Sequence, residues 1–250
     1  MIYALLVAVG GHSSATVTQI TDPSRCSREM AGCWEIDGVI SDADQRQVAA
    51  IADRLAGSKR TPFFWLNSSG GDVEAAIAIG RQLRRIGATA MMWDEAKCLS
   101  SCVFVLAGAT RRVLVGKIGI HRPYALRTDQ RTYDSVQMEQ RRLAKLAKEY
   151  LEEMNVSPLL YDAMVRVPPE QIRLLSRSDL ERFGITETDI VEHEVHDAGE
   201  ARKYGLSKTE YLRRKSQADI SCKGELERGK ADGNFNSYFA CRTSILSAPK

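Results

Sequence analysis

Between residues 34 and 93 short apolar runs of strand length alternate with stretches whose apolar residues recur at helical spacing, and few folds accommodate that alternation. Trp34 to Ile40 (WEIDGVI) alternates apolar and polar residues like a strand. Ser41 is a good N-cap, and Asp42 and Asp44 suit a first helical turn. Val48, Ala49, Ile51, Ala52 and Leu55 then make an apolar stripe that Gly57 ends. Pro62 to Asn67 (PFFWLN) is a continuous apolar run, followed by a glycine pair and a helix expected from Val73 to Ile86. Ala88 to Trp93 (ATAMMW) reads as another buried strand. Strands buried on both faces and joined through helices imply an α/β domain with a largely parallel sheet.

The rest of the chain continues the pattern less regularly. Leu99 to Ala109 reads as a buried helix, and Arg111 to Val115 and Lys117 to His121 as short strands on either side of Gly116. Tyr133 to Met154 is a long charged helix, Pro158 to Val167 a further helix, and Ser178 to Arg182 one more turn before Gly184. Ile185 to Val195 is expected to close the main domain, residues 26–196, as a strand. Residues 197–250 read as a polar, helical appendage with a Gly/Asn-rich, cysteine-tied tail. At 250 residues, 44% hydrophobic and 27% charged, the chain can bury one full core plus such an appendage. The 35 Lys and Arg against 32 Asp and Glu are scattered as RQLRR, ATRR, QRR and LRRK. Without a concentrated basic face, a nucleic-acid partner is not expected.

Residues 2–10 (IYALLVAVG) are apolar and GHSSA follows. That run is too short for a bilayer core of about 30 Å, which takes roughly 20 helical residues. It fits the apolar region of a secretory signal over residues 1–15, with cleavage near Ser13-Ser14-Ala15; a buried first strand is the alternative. No later stretch is long enough to span a membrane. The six cysteines fit export. Their spacing suggests local pairs, Cys26–Cys33, Cys98–Cys102 and Cys222–Cys241, among the connectivities six cysteines allow. Disulfides belong to oxidising compartments, although Cys98 and Cys102 also read as small buried hydrophobes on a helix. CxxC knuckles and HExxH are absent. His193 and His196, read on a strand, would point to opposite faces, so no metal is expected.

Three segments carry candidate chemistry. In Leu66-Asn67-Ser68-Ser69-Gly70-Gly71-Asp72-Val73 a strand runs into two glycines and a helix, where backbone N–H groups can approach an oxyanion; a plain turn is the simpler reading. Cys98-Leu99-Ser100-Ser101-Cys102 places two hydroxyls at a helix start, as an N-cap or a nucleophile. Gly119-Ile120-His121-Arg122-Pro123 ends a strand on a histidine that can act as a general base or simply pack. There is no GxSxG elbow and no phosphate-binding glycine motif.

In order and spacing, SSGGD, the serine pair and the IH motif together resemble the ClpP/crotonase superfamily, in particular its exported, cysteine-bearing bacterial relatives of the Clp-type serine peptidases. The resemblance spans Trp34 to Val191. It implies stacked ββα units around a largely parallel sheet. It also implies a serine peptidase-like hydrolase in which Gly71, with Gly70 beside it, and the N–H of Ser101 form an oxyanion hole. Ser100 is then the nucleophile, with Ser101 the alternative, and His121 the base. Ser69 stands where the family has proline. The family's aspartate, four positions before the serine corresponding to Ser176, falls on Ile172; Glu170 or another acid would have to orient His121, or the site is a dyad.

The expected partner is a peptide or protein substrate, with a homo-oligomer open, no cofactor, and a periplasmic or secreted bacterial location. The alternatives are a non-catalytic binding or scaffold protein on the same fold, acyl-CoA chemistry, and a Ser-Lys dyad using Lys145 or Lys148.

Overall fold

The structure is a computed structural model that describes residues 16–123, 132–186, 188–232 and 234–248. The expected signal segment, residues 1–15, lies outside them. The chain divides into two compact units, Met1–Asp189 and Ile190–Lys250.

In the first unit, strands β1 (Thr16–Gln19), β2 (Gly32–Ile40), β3 (Pro62–Gly71), β4 (Thr89–Met92), β5 (Lys97–Leu99), β6 (Arg111–Leu114), β7 (Lys117–Ile120) and β8 (Arg173–Leu174) form one sheet. The main order is β1-β2-β3-β5-β7-β8; β4 branches from β3, and β6 pairs with β4. Among the described strands the pairings β2/β3, β3/β4, β3/β5, β4/β6 and β5/β7 are parallel, and β1/β2 and β7/β8 are antiparallel. The α/β class with a largely parallel sheet is therefore the observed one. β3 divides its partners along its length: Phe63 to Trp65 pair with β4, while Ser68 pairs with Cys98 of β5.

Helices α1 (Asp42–Leu55) and α2 (Val73–Arg85) connect the parallel strands. Ser41 and Asp44 form a reciprocal capping box on α1, and the Asp72 side chain accepts from the Ala75 N–H at the start of α2. Helix α3 (Cys102–Gly108) is buried along its whole length, packed with Phe64, Leu66, Ile77, Ile79 and Leu83. Each such side chain taken from water contributes roughly 1.5–3 kcal/mol. Helices α4 (Tyr133–Glu153), α5 (Leu159–Val165) and α6 (Arg177–Phe183) complete the unit.

A helix buried end to end cannot leave its last carbonyls to water. Here arginines satisfy them. Arg112 donates from Nε to Leu106 O at 2.9 Å, from Nη2 to Ala107 O at 2.7 Å and from Nη1 to Thr186 O at 3.0 Å. Burial, then the neighbouring Arg84, pushes the Arg112 guanidinium down to about 10, so it keeps its charge at neutral pH. Arg84 in turn pairs with buried Asp189 at 3.1 Å.

Close approach of α2 and α3 depends on two glycines. A side chain at Gly80 would run into the Tyr150 hydroxyl, and one at Gly108 would strike the Gly80 backbone. Tyr150 meanwhile donates to Phe104 O at 2.7 Å, tying α4 to α3.

Three local expectations are corrected. The segment 99–109 is not one helix: residues 97–99 join the sheet as β5, because Cys98 and Leu99 align with Ile118 and Gly119 of β7, and α3 begins only at Cys102. The glycine pair is not a turn; β3 continues through it, paired with Val39 and Ile40 across an irregularity at Gly38/Val39. Ile185 to Val195 is not a strand. Its EHEVHD stretch lies in α7 (Ile190–Lys203), where the alternating charges that imitate a strand are spaced along a helix. The boundary drawn at 196/197 thus falls inside α7.

The second unit consists of α7, α8 (Lys208–Ser221), α9 (Lys223–Asp232) and α10 (Asn236–Leu246). Its core is small, with Ala201, Tyr211 and Leu246 at the centre and Tyr204 and Leu206 packed on them. Arg214 is buried there and paired with Glu210 at 2.6 Å. The cysteines pair as their spacing suggested, Cys26–Cys33, Cys98–Cys102 and Cys222–Cys241, with Cα separations of 5.7, 5.2 and 5.9 Å.

Two outcomes follow from this packing. Gly80→Ala should cost roughly 1–3 kcal/mol by forcing α2 off α3, read as a lower urea midpoint at unchanged slope. Replacing both Cys222 and Cys241 by serine should destabilise the second unit by about 3 kcal/mol, the closure entropy of a loop of 19 residues, visible as an earlier loss of helical circular dichroism.

Candidate active site

Open α/β sheets present ligand groups at the carboxyl ends of their parallel strands. Here β5 and β7 run parallel with Leu99 opposite Gly119, and the Ser100 N–H donates to Gly119 O at 2.9 Å. Ser100 is the residue just past the end of β5, and His121 the residue just past the end of β7. The two candidates therefore leave adjacent strands side by side.

Ser100 has φ +56°, one of two non-glycine residues with positive φ among those described; the other is Asn155. For an L-residue that conformation costs roughly 1–2 kcal/mol, and such strain persists where surrounding structure holds it. What holds it is local. The preceding strand is fixed in the sheet, the Ser100 N–H is bound by Gly119, and α3 begins two residues later, with Cys98 and Cys102 bridged across the turn. The result is a sharp strand-to-helix turn with the serine at its apex.

The glycine that leaves room for this apex is on the neighbouring strand. A Cβ at Gly70, whose φ is +94°, would stand 2.6 Å from the Ser100 Cβ and 2.8 Å from Leu99 O. Gly70 donates its own N–H to Ser68 Oγ at 3.1 Å, and Ser68 donates to Gly38 O at 2.6 Å. Gly71 lies against the Ile40 backbone, and the next N–H, from Asp72, goes to Ile40 O at 2.9 Å.

The two serines differ sharply. Ser101 is fully buried and its hydroxyl donates to Gly71 O at 3.1 Å, so it ties the helix start to β3. Ser100 retains 8% exposure, as does His121. His121 Nδ1 lies 3.0 Å from Arg122 O. A carbonyl can only accept, so this contact places the proton on Nδ1 and the lone pair on Nε2.

Opposite β7, the antiparallel register of β8 pairs Gly119 with Leu174 and Ile120 with Arg173. The ladder ends there, and the next N–H along β7, from Arg122, donates to Val167 O at 2.9 Å. Ile172 lies beside β7: its Cγ2 would stand 2.6 Å from a Cβ at Gly119, and it is 43% exposed. Glu170 is exposed in the turn after α5. Lys145 and Lys148 lie on α4 and are paired with Glu149 at 3.8 Å and Asp162 at 2.7 Å. His193 and His196 share one face of α7, at i and i+3, rather than opposite faces of a strand; His196 contacts Asp197, which pairs with Lys215 at 2.8 Å. Among the described residues no group of three or more His, Cys, Asp or Glu side chains is arranged to hold a metal ion, and no helix is long and apolar enough to cross a membrane.

Sequence reasoning missed the elbow-like turn because the glycines that usually flank such a serine are absent. The available signals were Gly70, distant in sequence but adjacent in the sheet, and the four-residue spacing of the cysteines.

No protein-family model matches the chain, and no curated protein matches it significantly. Among solved structures the chain is similar to a serine-to-alanine variant of the 1510-N membrane-bound stomatin-specific protease, at 14% identity, TM-score 0.48, covering 64% of this chain and 80% of that one. It is also similar to a ClpP1 variant from Listeria monocytogenes, at 16% identity, TM-score 0.48, covering 62% and 88%.

The contrast between the serines is measurable as stability. Ser100→Gly should raise the unfolding free energy by about 1 kcal/mol by releasing left-handed strain. Ser101→Ala should lower it by about 1 kcal/mol through loss of the bond to Gly71. Urea denaturation of the two variants gives both signs.

Proposed function

We propose that this chain is a serine peptidase-like hydrolase, exported to an oxidising compartment such as the periplasm, that acts on a peptide or protein by acyl transfer through Ser100 and His121. The observation that carries the reading is Ser100 itself: a strained serine at the apex of a strand-to-helix turn, beside a histidine leaving the adjacent parallel strand.

In this reading Nε2 of His121 takes the Ser100 proton as Oγ attacks the substrate carbonyl carbon. The carbonyl π pair moves onto oxygen. In this reading the donors to the oxyanion are the N–H groups of Gly71, at the end of β3, and of Ser101, at the start of α3. These two donors receive the oxyanion, and each is worth about 3 to 4 kcal/mol in sites of this type. Collapse of the tetrahedral species expels the leaving group, which takes the proton from His121. Water then repeats the sequence and frees Ser100. The three cysteine bridges support the oxidising compartment.

Ile172, at the place where the family resemblance expects a carboxylate, favours one second reading: a non-catalytic protein that uses the same fold to bind a peptide. A fluorophosphonate probe separates the two. The hydrolase reading expects covalent labelling that is lost in Ser100→Ala and His121→Ala and kept in Ser101→Ala. Absence of labelling in the wild-type protein from neutral to mildly alkaline pH supports the binding reading instead.

A further inference from the structure

We propose that Cys98 and Cys102 are positioning residues that act as an oxidative licence. The chain with both as thiols is folded but inactive, and a disulfide donor in the oxidising compartment switches it on by closing this one bridge. The inference rests on the reading of Ser100 as the nucleophile.

The bridge encloses Leu99, Ser100 and Ser101, so the left-handed residue sits inside a covalent ring. Cys98 is fixed in β5 between Ser68 of β3 and Ile118 of β7, and Cys102 is the first residue of α3. Their Cα atoms are 5.2 Å apart. Continued as a strand, β5 would carry residue 102 about 13 Å from residue 98. The bridge therefore forbids that continuation and requires a reversal within three residues, the reversal in which Ser100 takes φ +56°.

The other supports of the turn named above are hydrogen bonds: the Ser100 N–H on Gly119 O, the Ser101 hydroxyl on Gly71 O, and the Phe104 N–H on Ser101 O. They are the same in either redox state, and left-handed strain opposes them. With the bridge open, Ser100 returns to negative φ. That rotation moves Oγ and turns the peptide that carries the Ser101 N–H, so the nucleophile and one oxyanion donor are lost together.

Burial gives the step its direction. Both cysteines are fully buried. As thiols they are small apolar residues, so the core around α3 accepts them and the fold persists. The relaxed turn can open and present them to a donor. Once closed, the ring itself prevents that opening, and thiols no longer reach the sulfurs that exchange requires. In the closing step one cysteine thiolate attacks the donor disulfide and expels one donor sulfur as thiolate. The second cysteine thiolate attacks the resulting mixed disulfide and expels the other. The cysteines lose two electrons; the donor gains them and leaves as a dithiol carrying the two protons. In a reducing compartment, where disulfides do not persist, the hydrolase stays off.

Three measurements on the full chain test this. Oxidised wild-type protein should label with the fluorophosphonate probe about a hundredfold faster than Cys98→Ala/Cys102→Ala at equal helical circular dichroism, the loss typical of a misplacement of about 1 Å. Cys26→Ala/Cys33→Ala should label at the wild-type rate, which ties the loss to the bridge around Ser100. Next, wild-type chain purified under dithiothreitol should label as slowly as the double variant. Oxidised glutathione should restore its rate as Cys98 and Cys102 become resistant to alkylation, and dithiothreitol added afterwards should not reverse the gain. This comparison stands even where the double variant does not fold. Last, Ser100→Gly should raise the urea midpoint of the bridged chain and leave that of Cys98→Ala/Cys102→Ala unchanged, because the strain is already released there. That cycle reads the bridge's hold on Ser100 without any catalysis. Equal labelling of bridged and dithiol chains overturns the inference, as does an equal midpoint rise in both backgrounds. Absence of labelling in every form sinks the nucleophile reading itself, and the licence with it, whatever the stability cycle gives.

Discussion

The pairing of β5 with β7 is the constraint on which the candidate site depends. Only three residues of β5 enter the ladder, yet they set Leu99 opposite Gly119 and let Gly119 capture the Ser100 N–H. That one register brings the serine and the histidine out of the sheet together. A slip of a single residue would turn every side chain of the short strand to the other face. β5 is held in place from its other edge by β3, through Ser68 and Cys98, and from above by α3, whose entire surface is buried.

Burying α3 completely creates a second demand, since its terminal carbonyls have no water. Arg112 and Arg84 meet it from the sheet and from α2, and Tyr150 bonds the Phe104 carbonyl from α4. The scaffold behind the serine is therefore a polar lattice at one end and a close glycine contact at Gly80 and Gly108 along its side. At the other end, the Cys98–Cys102 bridge closes over the turn. Strain at Ser100 persists because each of these supports is independent of the others.

Much of this arrangement was legible in the sequence. Buried runs such as PFFWLN are legible because a central parallel strand needs both faces apolar, and the Ser41 cap because it satisfies a helix end locally. The cysteine pairs were legible because each closes a short loop. The misreadings have physical causes as well. Residues 97–99 adopt a strand because a ladder with β7 outweighs local preference, and EHEVHD mimics a strand because alternating charge is compatible with either period. Ser100 and Ser101 cannot be told apart from CLSSC alone. Only the backbone sign at Ser100 and the Ser101 bond to Gly71 separate them.

The amino-acid sequence by itself determined the α/β class and suggested the local cysteine pairs and the three candidate segments, because these follow from hydrophobic period, short-range chain closure and residue type. The tertiary structure alone decided which serine takes the strained turn, which glycine makes room for it, and that the Arg122 carbonyl meets the His121 ring. Those relations join residues tens of positions apart, and their distances are set by strand register and helix packing, which no local pattern encodes.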